Sequence, residues 1–388
     1  MLGKSETVLT EKDVLLALKG VKDPDLGRDL VDLGMIRDIR IGDGKVSLTV
    51  NLTTPACPLK AKIEADVRQA LTSRLPAGLG IEINMTAEVR GKGTTEAGDI
   101  PGVKNVIAVG SGKGGVGKST MAASIALGLK AHGASVGLMD ADVYGPSIPH
   151  LLGATGRPMA RGEQIVPIEA GGLKLMSMGF LLEPEQAVVM RGPMLHGIMQ
   201  QFLRKVEWGK LDYLVIDLPP GTGDVPLTLS QTLPLTGAVV VCTPQEVALL
   251  DAVRAISMFR QLRVPVLGMI ENMAFFDVLA YLQERGGPEA RKLVAGKTCF
   301  DEAGDERAYL FGQGGARRKA EAMDVPFLGE VPLNLFLRES GDVGRIENVL
   351  QDGSPSKPYL MALVEQLAAQ ISIQNLKNPK MPKLEILN

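Results

Sequence analysis

Apolar and polar positions change their rhythm once along the chain. From residue 9 to about 90 they trace a small α+β unit. Glu11–Leu18 opens as a helix, and Asp23-Pro24-Asp25 breaks it. Met35–Ile41 and Lys45–Leu52 read as strands joined at Gly42-Asp43-Gly44, a hairpin signal. Pro58–Leu71 carries apolar residues at helical spacing, and Gly80–Val89 alternates as a strand. Residues 91–103 are mostly short, polar and glycine-rich, the composition of a linker.

From Asn105 the pattern becomes continuous apolar runs separated by helical stretches. Such runs suit strands buried on both faces. They fall at Val106–Gly110, Val136–Asp140, Leu173–Met178, Tyr213–Asp217, Gly237–Cys242, Val266–Asn272 and Phe327–Val331. The expected fold class for 104–373 is therefore α/β, a mostly parallel sheet with helices on both faces. Residues 280–305 are charged and irregular, which reads as a surface insertion, and 374–388 read as a tail.

Composition narrows the function classes. A chain of 388 residues has room for two domains, and 45% hydrophobic with 22% charged residues is ordinary for a globular protein. A formal net charge of −2 gives no electrostatic reason to expect nucleic acid as a partner. No apolar run approaches the roughly 20 residues that cross a bilayer, and the first residues carry no apolar signal segment. A cytoplasmic location without a membrane partner is the expectation. Cys57, Cys242 and Cys299 are too few and too scattered for a disulfide framework. They are either buried small hydrophobes or reduced, metal-competent thiols. Cys242, inside an apolar strand run, reads as core.

One segment carries unmistakable chemistry. Val106–Gly110 runs into Ser111-Gly112-Lys113-Gly114-Gly115-Val116-Gly117-Lys118-Ser119-Thr120, and a helical stretch follows. Gly112 to Ser119 satisfy G-x-x-x-x-G-K-[ST] in a strand–loop–helix context, the pattern of a phosphate loop. Glycines let backbone N–H groups turn toward phosphate oxygens, and the helix N-terminus adds positive potential. Lys118 suits the β- and γ-phosphates of ATP, Ser119 a Mg²⁺ ion, and Thr120 the α-phosphate. Acids stand at neighbouring strand ends, where ligands of open parallel sheets bind. Asp217 suits Mg²⁺, and Asp140 and Asp142 suit the metal and the attacking water. A helix cap is the other reading of Asp142. Leu218–Asp224, rich in Gly and Pro, reads as a segment that responds to the γ-phosphate.

The early lysine makes the loop resemble the deviant phosphate loop of the MinD, ParA and nitrogenase-iron-protein ATPases. That resemblance implies a nucleotide-sandwich homodimer in which Lys113 reaches the partner's nucleotide. Further segments resemble the Mrp/Nbp-type (ApbC-like) iron–sulfur carrier ATPases over Val106–Arg345. They are GSGKGGVGKST (110–120), DADVYGPSIP (140–149), RGPMLHG (191–197), DLPPGTGD (217–224), TPQEVALLDAVRA (243–255), IENM (270–273), FGQGGA (311–316) and RESGD (338–342). DPDLGRDLVDLGMIRDIRI (23–41) and LTTPACPLK (52–60) resemble the MIP/PaaD-like domain that precedes many such ATPases.

The resemblance implies an ATP-dependent carrier or scaffold for iron–sulfur clusters. It would be a slow ATPase whose partners are assembly factors and apo-proteins. It also implies that Asn272, closing its strand, reads the adenine base; a turn-forming Asn is the other reading. Pro332 and Asn334 are further candidates for the base pocket. Typical members carry C-x-x-C after the IENM segment, but Ala274–Phe311 holds only Cys299. Cys57, ahead of a predicted helix that would favour its thiolate, is the other candidate for a cluster contact; filling a tight turn is its alternative role. Other functions compatible with the loop are a spatial-positioning ATPase and a regulatory ATPase that carries no cluster.

Overall fold

The computed structural model describes residues 9–91, 100–181, 192–278 and 307–377. The 280–305 segment with Cys299, Arg191, and residues 378–388 lie outside them. The chain divides into two compact units, Met1–Arg90 and Gly91–Asn388.

In the first unit, α1 (Glu11–Leu18) is started by a capping box between Thr10 and Asp13. Strands β1 (Ile36–Gly42) and β2 (Lys45–Leu52) form an antiparallel hairpin. Its turn places Asp43 at φ 49° and Gly44 at φ 72°, which the Asp-Gly pair tolerates. After α2 (Lys60–Arg74), β3 (Gly80–Ala87) pairs with β2 in parallel. Val46, Leu48 and Val50 of β2 are buried, as are Ile63, Val67 and Leu71 of α2.

The second unit opens with β4 (Val103–Ser111), α3 (Lys118–Ala131) and β5 (Val136–Asp140). A one-turn helix α4 (Ile148–Leu151), the hairpin β6 (Met159–Arg161) and β7 (Gln164–Val166), and β8 (Ile168–Ala170) lead to β9 (Leu173–Ser177). Next come α5 (Gly192–Lys205), β10 (Leu211–Asp217), α6 (Asp224–Thr232), β11 (Gly237–Cys242), α7 (Glu246–Gln261) and β12 (Val266–Asp277). The chain closes with β13 (Arg307–Ala308), α8 (Gly315–Ala322), β14 (Phe327–Leu333), α9 (Leu335–Asp342) and α10 (Lys357–Lys377).

Among the described residues these strands make a nine-stranded sheet in the order β13-β12-β11-β4-β10-β5-β9-β8, with β14 also pairing β12. Only β8 and β13 run antiparallel to their neighbours. Side chains from α5, α7 and α8 share one core with one face of the sheet, around Phe202, Trp208 and Phe259. Helices α3 and α10 pack on the other.

Three boundaries depart from the sequence reading. Ile100 and Val103 are buried in the second unit's core, so the end of the expected 91–103 linker belongs to that unit, drawn in by its apolar side chains. Helix α10 continues to Lys377, past the expected boundary at 373. The third is β12, which does not end at Asn272. Met273 takes φ 54° and the strand then resumes to Asp277. There Phe276 pairs with Ala308 and Asp277 with Arg307. This neck is clamped by Arg307, whose guanidinium lies 4.3 Å from the Phe275 ring centre and 3.4 Å from Glu330. Tyr309 and Tyr359 meet the same ring edge-on.

Candidate functional site

The loop between β4 and α3 is built as the pattern requires. Gly117, at φ 80°, turns the chain into α3, and a Cβ there would sit 2.2 Å from Asn272 Nδ2. Only glycine satisfies both the left-handed backbone and the close neighbour. Gly112 is tight for a second reason: a Cβ would collide with the Asp251 backbone of α7. Gly114 and Gly115 are exposed at the loop crest, and Val116 is buried as the loop's apolar anchor. The Ser111 hydroxyl donates to the Lys113 carbonyl at 2.9 Å, which tightens the loop's entry. Lys113 itself is half-buried and, among the described residues, forms no ion pair. Ser119 and Thr120 occupy the first turn of α3, partly exposed.

Lys118 is the site's central charge. It is buried, yet its ammonium donates to Asp217 Oδ1 at 2.7 Å and to Ser119 Oγ at 3.3 Å, with Asp142 Oδ2 at 3.8 Å. Asp217 and Asp140 end the adjacent parallel strands β10 and β5 in direct register, and both are fully buried. Burial, reinforced by the neighbouring Asp217, pushes Asp140 up to about 7. Burial also raises Asp217, against the pull of Lys118.

The two acids have different hydrogen-bond partners. Asp140 accepts from the Asp142 and Ile148 backbone N–H groups and from the Ser177 hydroxyl, so both its oxygens brace the 141–148 loop. That bracing differs from the metal role expected for Asp140. Asp217 Oδ2 is buried and has no hydrogen-bond partner. An orphaned carboxylate oxygen beside a lysine and a serine hydroxyl suits a hydrated Mg²⁺, with Ser119 and Asp217 as its holders. Asp142 accepts from the Gly145 N–H at 3.3 Å, a turn contact rather than a helix cap.

Asn272 comes to the loop from β12 and donates to the Val116 carbonyl at 2.9 Å. Asn334 departs from expectation: its side chain caps α9 by accepting the Leu337 N–H, and Pro332 lies within β14. Cys57 is half-buried in the turn three residues ahead of α2. Cys242 is buried and pushed up to about 12, an inert core thiol. Among the described residues no group of three or more His, Cys, Asp or Glu side chains could hold a metal ion, and no helix is long and apolar enough to cross a membrane.

Sequence reasoning missed two contacts. The Gly221 N–H donates to the Ser111 carbonyl, tying the Leu218–Gly223 segment to the phosphate loop. Glu271, 1% exposed, accepts the Ala316 N–H at 2.6 Å. An acid inside the apolar run Val266–Asn272 was the available signal, since buried carboxylates need partners.

Known proteins share this architecture. Residues 102–284 match the family model described as NUBPL iron-transfer P-loop NTPase, and residues 11–84 match that of an iron-sulfur cluster assembly protein. The iron-sulfur cluster carrier protein of Synechocystis sp. is 44% identical over 95% of this chain and 100% of its own length. Its namesake in Deinococcus radiodurans is 47% identical over 94% and 96%. A nucleotide-binding protein from Archaeoglobus fulgidus, solved with ADP, superposes with a TM-score of 0.53 at 39% identity. That superposition covers 67% of this chain and 94% of the other. With a phosphate loop, strand-end acids and full-length similarity of this order, the chain belongs to the iron–sulfur cluster carrier family of P-loop NTPases.

Proposed function

We propose that this protein is an ATP-dependent iron–sulfur cluster carrier, a slow, switch-type ATPase that works as a homodimer and hands clusters to apo-proteins. The observation that carries the nucleotide half is the buried Lys118–Asp217 pair, whose second carboxylate oxygen lacks a partner. A lysine and a carboxylate are costly so far from water unless a charged ligand uses them. Family membership carries the cluster half, because the carrier proteins from Synechocystis sp. and Deinococcus radiodurans align over nearly the whole chain.

In this reading Gly112–Thr120 bind the phosphates, with Lys118 exchanging part of its bond to Asp217 for the β- and γ-oxygens. Ser119 and Asp217 hold Mg²⁺, which neutralises charge on the phosphate oxygens. Asp142, near Lys118, orients the attacking water, and Lys113 acts across the dimer. Asn272, already against the loop, faces the base. The cluster is cargo, and Cys57 and Cys299 are the thiols proposed to meet it.

Two measurements test the halves separately. Titration with Mg·ATP should give saturable binding that Lys118→Ala abolishes; equal affinity in the variant would end the nucleotide reading. Anaerobic reconstitution should give cluster absorbance that an apo-acceptor takes up. Loss of that absorbance in neither Cys57→Ala nor Cys299→Ala would remove those thiols as ligands.

A further inference from the structure

Two consecutive residues of β12 point to opposite sides of the sheet. Asn272 holds the Val116 carbonyl of the phosphate loop. Glu271 reaches the N-terminus of α8, where it accepts the Ala316 N–H at 2.6 Å with the Gly314 N–H turned to the same carboxylate. Charge-assisted bonds from a helix N-terminus stabilise an acid that burial would otherwise penalise.

Neither contact has slack. Asn272 lies directly over Gly117, and a Cβ on Gly315 would sit 2.4 Å from Leu249 Cδ1 and 3.1 Å from the Pro244 carbonyl. Strand β12 is bonded on one side to β11 and on the other to β14, so residues 271 and 272 move together or not at all. Past them the strand pairs with Arg307 and Ala308, and the limb Arg307–Ala316 leads back to Glu271.

We infer that Glu271 is a positioning residue that, through its neighbour Asn272, couples the phosphate loop to the limb 307–316. A nucleotide that draws the loop's backbone inward shifts the Val116 carbonyl, hence Asn272 and the strand, and the carboxylate passes that shift to the start of α8. Coupling of this kind requires a shared rigid element contacted at both ends, and β12 is that element. The inference rests on the reading of the loop as a nucleotide site.

Hydrogen exchange of the full chain, with and without saturating Mg·ATP, tests it. In the unaltered protein, ATP should slow exchange at 112–120 and also change exchange at 311–316 by at least about fivefold, the low end of ordinary coupling between sites. Glu271→Ala should keep the protection at 112–120 and lose the change at 311–316. Glu271→Gln, which keeps an acceptor for Ala316, should retain part of it. Glu271→Gln preserves the side chain's size, so a reduced change at 311–316 in that variant decides the matter even where Glu271→Ala fails to fold. Protection at 112–120 without any change at 311–316 in the unaltered protein overturns the coupling alone, as does a change that survives undiminished in Glu271→Ala or, where that variant fails to fold, in Glu271→Gln. No protection at either place overturns both the coupling and the nucleotide reading.

Discussion

Lys118 and the acids around it set the chemistry of single residues. Removing one partner of a buried ion pair strands the other, so Lys118→Ala should cost about 3 kcal/mol of stability besides ATP affinity. Urea unfolding at pH 8 measures it, and an unchanged midpoint would contradict the pairing. Asp140 gives a pH dependence with a definite sign. Its carboxyl in the folded chain titrates near 7 rather than 3.8, so the folded state keeps a proton that the unfolded state releases. Its contribution to stability is therefore complete at acid pH and is lost as pH rises through that window. Without nucleotide, the thermal midpoint should fall as pH rises from about 4 to about 7 and level off above, and Asp140→Asn should flatten the fall. Equal slopes would mean the acid is not buried as described. Cys242, raised to about 12 by burial and by Glu271, should resist iodoacetamide at pH 7.5 until the protein is denatured, as peptide mass spectrometry would read directly.

Elements show how much of this arrangement the sequence reveals. Val136–Asp140 and Gly237–Cys242 were legible to the residue. Strands buried on both faces leave unbroken apolar runs, closed here by Asp140-Ala141-Asp142 and by Thr243-Pro244. The phosphate loop was legible because its glycines answer local backbone demands. Gly117→Ala should consequently lose ATP binding and destabilise the chain by roughly 1–3 kcal/mol, the scale of local backbone strain, since both φ and Asn272 oppose a side chain. Wild-type affinity in that variant would refute the geometry. The hairpin β6–β7 and strands β8 and β13 left no such trace. They are two or three residues long with mixed polarity, too short for a periodicity to show, and pairing makes them strands: β6 with β7, β8 with β9, and β13 with the distant β12. Glu271 and Ala316 lie 45 positions apart, beyond the reach of any local pattern.

At the scale of the molecule, two compact units meet at Arg90 and Gly91. The segment that follows is rich in glycine and carries lysine at position 92. Brief trypsin treatment should separate the two units by a cut next to the Arg90–Gly91 boundary before any cut inside the strands and helices named above; first cleavage inside β4 or β2 would argue against the division. Nothing local in the sequence announces the neck of the second unit. Asp277 and Arg307 are paired before the chain departs and as it returns, with Phe275, Tyr309 and Tyr359 stacked against the junction. A stem zipped in this way fixes the sheet's edge where the chain leaves it and where it returns. Residues inserted between Asp277 and Arg307 would add only the modest entropic cost of chain closure, because the pairing of the two ends sets the strand register. For the engineer the stem is a ready insertion point.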